Sequence, residues 1–329
     1  MTGLEKQAYI AIRRKIARTR AELARKLDIS RPTASSVTES LLAQNRILEC
    51  GKGKSTGGAS PTLLCANPEY ARYIGIDFGY TDTMSAVLLD GAGDIVSRQE
   101  AVFSPQNAQS MISCASQLIR ELAGKEKIDG VAIALSAIID ENTRQVLKSV
   151  NPLFCSSSFQ MSLKKELGRN VFVANRSRAA AISEAFGGAA DGEPDFALLS
   201  LGKSVGAAFW CSGALFCGSN SAAGEIRNLR LSGSERLEEA LSREAVSRSN
   251  RKELLAKCAD ALCQIMDVMD FKLLVLSGRF ADFGEDFAYQ LEQELSASQA
   301  QVKPARFGRF SAARGSAFQM AEEQIRKKE

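Results

Sequence analysis

Apolar residues fall four apart at Leu4, Ala8, Ile12 and Ile16, with Lys and Arg filling the opposite face, and this spacing predicts an amphipathic helix over 4–17. Thr19-x-x-Glu22 is a capping box opening a second helix whose inward residues are Leu23, Ala24 and Leu27, and Asp28-Ile29 ends it. Ser30 is a good N-cap for a third helix, with Pro32 tolerated in its first turn and Ala34, Val37, Leu41 and Leu42 as its buried stripe. Arg31, Thr33, Ser35, Ser36 and Thr38 then face outward. Two short strands, Ile47–Cys50 and Pro61–Cys65, flank a glycine- and lysine-rich stretch and predict a hairpin, or wing.

Beyond a linker at Pro68 and Glu69 the period drops to two. Ile74-Gly75-Ile76 and Met84–Leu89 read as strands joined by a tight turn at Asp77–Thr81, and Asp90–Asp94 turns into a third strand. A helix over 106–122 turns Met111, Ala115, Leu118 and Leu122 inward. Ile128–Leu135 is a buried strand, Asn151-Pro152 opens a loop, and Val171–Val173 is a further strand. That strand runs through Asn175-Arg176 into an Ala-rich helix reaching Phe186, with Gly187-Gly188 as its stop. From Phe196 a second strand set follows, with helices at Leu254–Met269 and Phe283–Leu295, a strand at Leu273–Leu276 and a basic C-terminal helix over about 312–328. Two strand sets of similar plan, each with a glycine-bearing turn, imply two related lobes with a cleft between them.

Composition narrows the function. A chain of 329 residues suits two or three domains. No apolar run reaches the length of a membrane span and the N-terminus has no apolar signal core, so a cytoplasmic protein without membrane contact is expected. The eight cysteines form no Cys-x-x-Cys pair and sit mostly in apolar segments, which predicts buried, reduced thiols. There is no histidine, which removes the commonest general base and the commonest zinc ligand. Residues 1–64 carry 12 Lys and Arg against 5 Asp and Glu, while the rest is mildly acidic. A basic head of helix, turn, helix and wing predicts a partner in double-stranded DNA, contacted by Ser30, Arg31, Thr33, Ser35, Ser36 and Thr38 of the third helix and by Lys52 and Lys54 of the wing. The plainer alternative is a small helical domain for docking or dimerisation whose basic face is merely solvated.

The order of motifs carries a resemblance. A wing ending Gly57-Gly58-x-x-Pro61, then Ile76-Asp77-x-Gly79-x-Thr81, an Asn before an Ala-Ala-Ala helix, Leu201-Gly202-x-x-x-Gly206-Ala207 and Ala223-Gly224-Glu225-Ile226 resemble the ROK family of repressors and kinases, over nearly the whole chain. The likeness is in particular to that family's transcriptional regulators of sugar uptake, such as the N-acetylglucosamine and xylose repressors. It implies an α/β fold: a winged helix-turn-helix over 1–67, then an actin-like, sugar-kinase-like body with a small lobe over 71–186 plus 306–329 and a large lobe over 187–305.

The departures from that pattern matter as much. Tyr80 and Asp82 stand where the family's kinases have a Gly and a Lys in the first phosphate turn, and the second turn, Gly202–Ala208, has lost two glycines. The kinases' catalytic Asp, in an Asn-Asp pair, is replaced in Asn175-Arg176, and a guanidinium cannot accept a proton. The family's zinc motifs are absent, and Cys211, Cys217, Cys258 and Cys263 lack metal spacing. No catalytic residue, metal or cofactor is therefore expected.

By resemblance the sugar pocket survives as Asn151, Asn175 and Glu225, with Arg176 and Asn228 at changed positions. Arg176, with Arg227, would adapt it to an anionic sugar such as a sugar phosphate or sugar acid; alternatively Arg176 pairs with Glu184 or Glu225 and only holds the cleft together. The expectation is a DNA-binding regulator, a homodimer with a tetramer as the larger alternative, that senses a sugar or sugar-phosphate effector. A regulator or scaffold that has lost its ligand, and an ATP-dependent sugar kinase, are the competing readings. Wings of the family carry Arg after Gly-Gly; Ala59-Ser60 follow here, so major-groove and phosphate contacts are expected without minor-groove readout.

Overall fold

The structure is a computed structural model that describes residues 1–54, 60–79, 83–103, 108–149, 151–155, 157–167, 171–202, 204–295 and 299–327. Tyr80, Asp82, Lys203 and the Gly57–Ala59 tip of the wing lie outside the described residues.

Side-chain caps set the helices of the head. In α1 (Gly3–Arg13) Thr2 and Glu5 form a reciprocal capping box. The helix stops short of the expected 4–17, because Lys15 takes a left-handed φ of 59°, and Ile16 is left 43 % exposed instead of inward. Thr19 caps α2 (Arg20–Leu27) by accepting from the Glu22 N–H, while the Glu22 carboxylate takes the Arg18 N–H, so the box there is only half closed. Asp28, at φ 52°, ends it. Ser30 caps α3 (Arg31–Ala43) through the Thr33 N–H. Val37 and Leu41 are buried against Leu23, Ile12, Ile47 and Leu64, Ala34 is fully buried, and Leu42 is half-buried at the margin. The wing strands β1 (Ile47–Lys52) and β2 (Thr62–Ala66) pair antiparallel, Ile47 opposite Ala66.

The body repeats one plan twice. Its first half runs β3 (Tyr73–Asp77), β4 (Thr83–Leu89), β5 (Ile95–Val102), α4 (Ala108–Ala123) and β6 (Gly130–Leu135). A small hairpin, β7 (Ala137–Ile139) and β8 (Val146–Ser149), is followed by α5 (Pro152–Cys155) and α6 (Ser157–Leu167) where a loop was expected after Asn151. Then come β9 (Val171–Asn175) and α7 (Arg176–Ala185). The sheet order is β5-β4-β3-β6-β9. The second half runs β10 (Phe196–Leu201), β11 (Val205–Cys211), β12 (Ala214–Phe216), α8 (Leu237–Ala240), α9 (Arg243–Arg248), α10 (Arg251–Met269), β13 (Leu273–Gly278), α11 (Gly284–Glu294) and β14 (Gln301–Pro304). Its order, β12-β11-β10-β13-β14, matches the first position by position. In both sheets the first three strands are antiparallel and the last two join in parallel.

The last helix, α12 (Ser311–Lys327), returns to the first sheet and packs along α7. Small residues allow the approach: a Cβ on Gly315 would lie 1.6 Å from the Ala179 carbonyl oxygen, and one on Gly75 1.9 Å from that of Ala313. The far end of α12 holds the head. Ile325 joins the head's core, Arg14 Nε donates to Glu322 Oε1 at 2.7 Å, and Lys6 Nζ donates to the Arg326 carbonyl. Arg13, only 2 % exposed, donates to the Gly91 carbonyl and stacks its guanidinium 4.0 Å above the Phe318 ring.

The eight thiols are free, but the expectation of burial fails for most: Cys258 is buried, Cys65, Cys114, Cys211, Cys217 and Cys263 are half-buried, and Cys50 and Cys155 are exposed. Among the described residues no cluster of three His, Cys, Asp or Glu could hold a metal, and no helix is long and apolar enough to cross a membrane.

Candidate functional site

The outer face of α3 carries Arg31, Thr33 and Ser36 exposed and Ser35 half-buried, and Lys52 and Lys54 are exposed on the wing. Ser30 and Thr33 share a hydroxyl contact of 2.7 Å at the helix N-terminus, so both sit at the end of α3 that carries Arg31. Lys52 Nζ also donates to Thr62 Oγ1 across the hairpin. Thr38 does not belong to this face. It is fully buried and returns its hydroxyl hydrogen to the Ala34 carbonyl at 2.7 Å, because its side of the helix packs within the head.

The cleft is built from strand ends of both sheets. Asp77 closes β3, Ser200 lies near the end of β10, Gly278 ends β13, and Arg176 opens α7 directly after β9. Arg176 is 4 % exposed and Asp77 fully buried; the guanidinium Nε reaches Asp77 at 2.9 and 3.1 Å and Nη1 reaches Ser200 Oγ at 2.9 Å. Asp77 Oδ1 also accepts the Gly79 N–H at 2.7 Å. Burial pushes the Asp77 carboxyl above its ordinary value, while Arg176 and the Gly79 N–H pull it back down. Three glycines close on this one side chain: added Cβ atoms would lie 2.0 Å from Arg176 Cδ at Gly79, 2.6 Å from Nη1 at Gly202 and 3.1 Å from Nη2 at Gly278. The Arg176 side chain thus fills the space enclosed by glycines at the strand ends of both sheets.

The expected partners of Arg176, Glu184 and Glu225, are engaged elsewhere. Glu184 accepts from the Ala189, Arg306 and Phe307 N–H groups and from the Ser311 hydroxyl, and Glu225 lies 3.6 Å from Arg227. Sequence reasoning missed Asp77 as the partner of Arg176, although it is the fixed Asp of the Asp-x-Gly turn.

The predicted sugar contacts do not all meet. Asn175 caps α7 through the Arg178 N–H and donates to the Ala137 carbonyl. With Arg176, Glu225 and Arg227 it lines a recess of about 30 Å³. Asn151, which accepts the Leu153 N–H at the start of α5, and Asn228, which is exposed, do not line that recess. A volume of this size holds about one water, not a sugar ring.

Residues 73–236 match the ROK family. This part of the body is a ROK family domain. Among curated proteins it is similar to a xylose repressor of Caldicellulosiruptor bescii, 26 % identical over 214 residues, covering 63 % of this chain and 53 % of that protein. It is also similar to a glucokinase of Halalkalibacterium halodurans, 32 % identical over 163 residues, covering 48 % of this chain and 49 % of the relative. The chain thus spans about half the length of these relatives. Among solved structures, a ROK family transcriptional regulator homologous to the E. coli MLC protein superposes with a TM-score of 0.71 at 14 % identity, covering 98 % of this chain and 96 % of its own. A ROK family glucokinase from Streptomyces griseus, in complex with glucose and AMPPNP, gives 0.67 at 19 % identity over 76 % of this chain and 99 % of the glucokinase. The two likenesses share the body's fold, and the regulator's extends over the head.

Proposed function

We propose that the chain is a sequence-specific DNA-binding transcriptional repressor of carbohydrate-related genes, a cytoplasmic homodimer whose ROK body responds to a sugar or sugar derivative without phosphorylating it. The observation that carries this reading is Arg176 lodged among Gly79, Gly202 and Gly278 and paired with buried Asp77. Phosphoryl transfer in this fold needs room for phosphate oxygens at such turns and a group that accepts the hydroxyl proton. A guanidinium occupies the first and cannot be the second. The head supports the DNA-binding half: an exposed helix face with Arg31, Thr33 and Ser36, and wing lysines for phosphates. Relatives named as xylose repressors agree with it.

Because Arg176 already has Asp77 and Ser200 as partners, an anionic ligand would have to displace an internal pair. The effector reading therefore moves towards a neutral ligand, or towards a cleft that opens. A body without a ligand is the second reading, favoured by the 30 Å³ recess.

The test is selection of bound fragments from the source genome by the full-length protein, with Arg31→Ala beside it. Enrichment of a palindromic site that the variant loses is expected; enrichment of no site would overturn the reading.

A further inference from the structure

A cavity of about 240 Å³ lies where the head meets the body. Its apolar lining is Ile182, Phe186, Trp210 and Leu215; its polar lining includes Arg14, Gln319, Glu322 and Glu323. At about 30 Å³ per water the volume corresponds to roughly eight waters. That accommodates one small ring with its substituents and falls below the range of drug-sized pockets.

The ions of the polar lining are matched within the protein. Arg14 pairs with Glu322, Arg144 with Glu323 at 2.7 Å, and Arg326 with Glu322 at 3.6 Å. A phosphate or carboxylate entering here would have to break such a pair. A neutral ligand would not, since carboxylate oxygens accept more than one hydrogen bond and Gln319, whose amide nitrogen donates to Glu141 at 3.3 Å, carries a second amide hydrogen and an acceptor oxygen. Of the apolar lining, Phe186 lies under Arg14 and stacks on Phe318, and it meets Trp210 edge-on with centroids 5.5 Å apart. Apolar groups and hydrogen-bonding groups lining one small cavity suit a ring that carries both C–H surface and hydroxyls.

We propose that this cavity binds a neutral polyhydroxylated ring, a monosaccharide without phosphate or carboxylate, at a site separate from the interlobe cleft. Its lining also joins the parts that hold the head in place. Arg14 follows α1 and stacks 4.5 Å above the Phe186 ring; Phe186 ends α7 and stacks on Phe318; Glu322 lies on α12 and grips Arg14. A ligand here touches both sides of the head-to-body contact, so its binding biases how the head is held. The binding claim does not depend on the DNA-binding reading, because occupancy is measured without DNA.

Trp210 is the only tryptophan in the chain, so intrinsic fluorescence reports on this cavity directly. The experiment titrates the full-length protein with neutral pentoses and hexoses and with their phosphates and uronic acids. Gln319→Ala, which removes a polar contact, and Ala214→Phe, which fills the cavity from an exposed strand position, are titrated beside it. The expected result is a saturable change in emission with a neutral sugar, tighter than with its phosphate and weakened about tenfold or more in both variants. Emission unmoved by every neutral sugar, tighter binding of the phosphate, or equal affinity in wild type and both variants would overturn the proposal.

Discussion

Arg176 stands one position after Asn175, and its guanidinium is held by an aspartate 99 positions earlier in the chain. Removing it leaves Asp77 buried and unpaired, so Arg176→Ala should lower the unfolding free energy by about 3–5 kcal/mol in a denaturant titration. The sign of the pH dependence follows from the raised carboxyl. A carboxyl whose folded value lies above its unfolded one favours folding while protonated, and that contribution is lost as pH rises through the folded value. Loss of Arg176 removes the cation that pulls the value down. The deficit of the variant relative to wild type should therefore be smaller at about pH 5 than at about pH 7; a deficit that grows on acidification would contradict the assignment. That a guanidinium follows Asn175 was legible in the sequence, and a guanidinium is no base in any environment. Its partner was not, because sequence spacing does not show which strand end meets the start of α7.

At the scale of the elements, the caps Thr19 and Ser30 and the strands of both sheets could be read because their signals are local: a hydroxyl before an apolar period, or an alternation of two. Facing was less legible. Thr38 looks like its neighbour Ser36 in sequence, yet one is buried and the other exposed. Which side of α3 meets α1 and α2 is a tertiary fact. Three substitutions separate these roles on whichever DNA site the protein selects. Arg31→Ala should weaken specific binding by about 1–3 kcal/mol. Lys52→Ala should weaken all sequences alike and reduce the salt slope by about one. Thr38→Val should leave the DNA affinity unchanged; a loss as large as that of Arg31→Ala would return Thr38 to the DNA-facing set.

Over the whole molecule, the repeat of one sheet order in two halves was legible as two strand sets, while the joining of head, first sheet and second was not. That joining rests on α12, whose small residues let it lie against α7 and whose end enters the head's core. Gly315→Ala would drive a methyl group into the Ala179 carbonyl, and thermal unfolding should show a loss of about 1–3 kcal/mol or more. A neutral effect would mean that α12 and α7 are less closely joined than described. The same helix gives the body a route to the head, since Glu322 and Phe318 on α12 hold Arg14 and Arg13.

The central claim is that the head reads sequence and does not merely attract polyanions. Its most direct test is a titration of the full-length protein against its selected site and against a scrambled duplex, at low salt and at about 0.15 M salt. The account predicts a preference on the order of 10³ or more for the selected site, persisting as salt rises and falling in Arg31→Ala. Equal affinity for both duplexes, with one steep salt dependence, would contradict it.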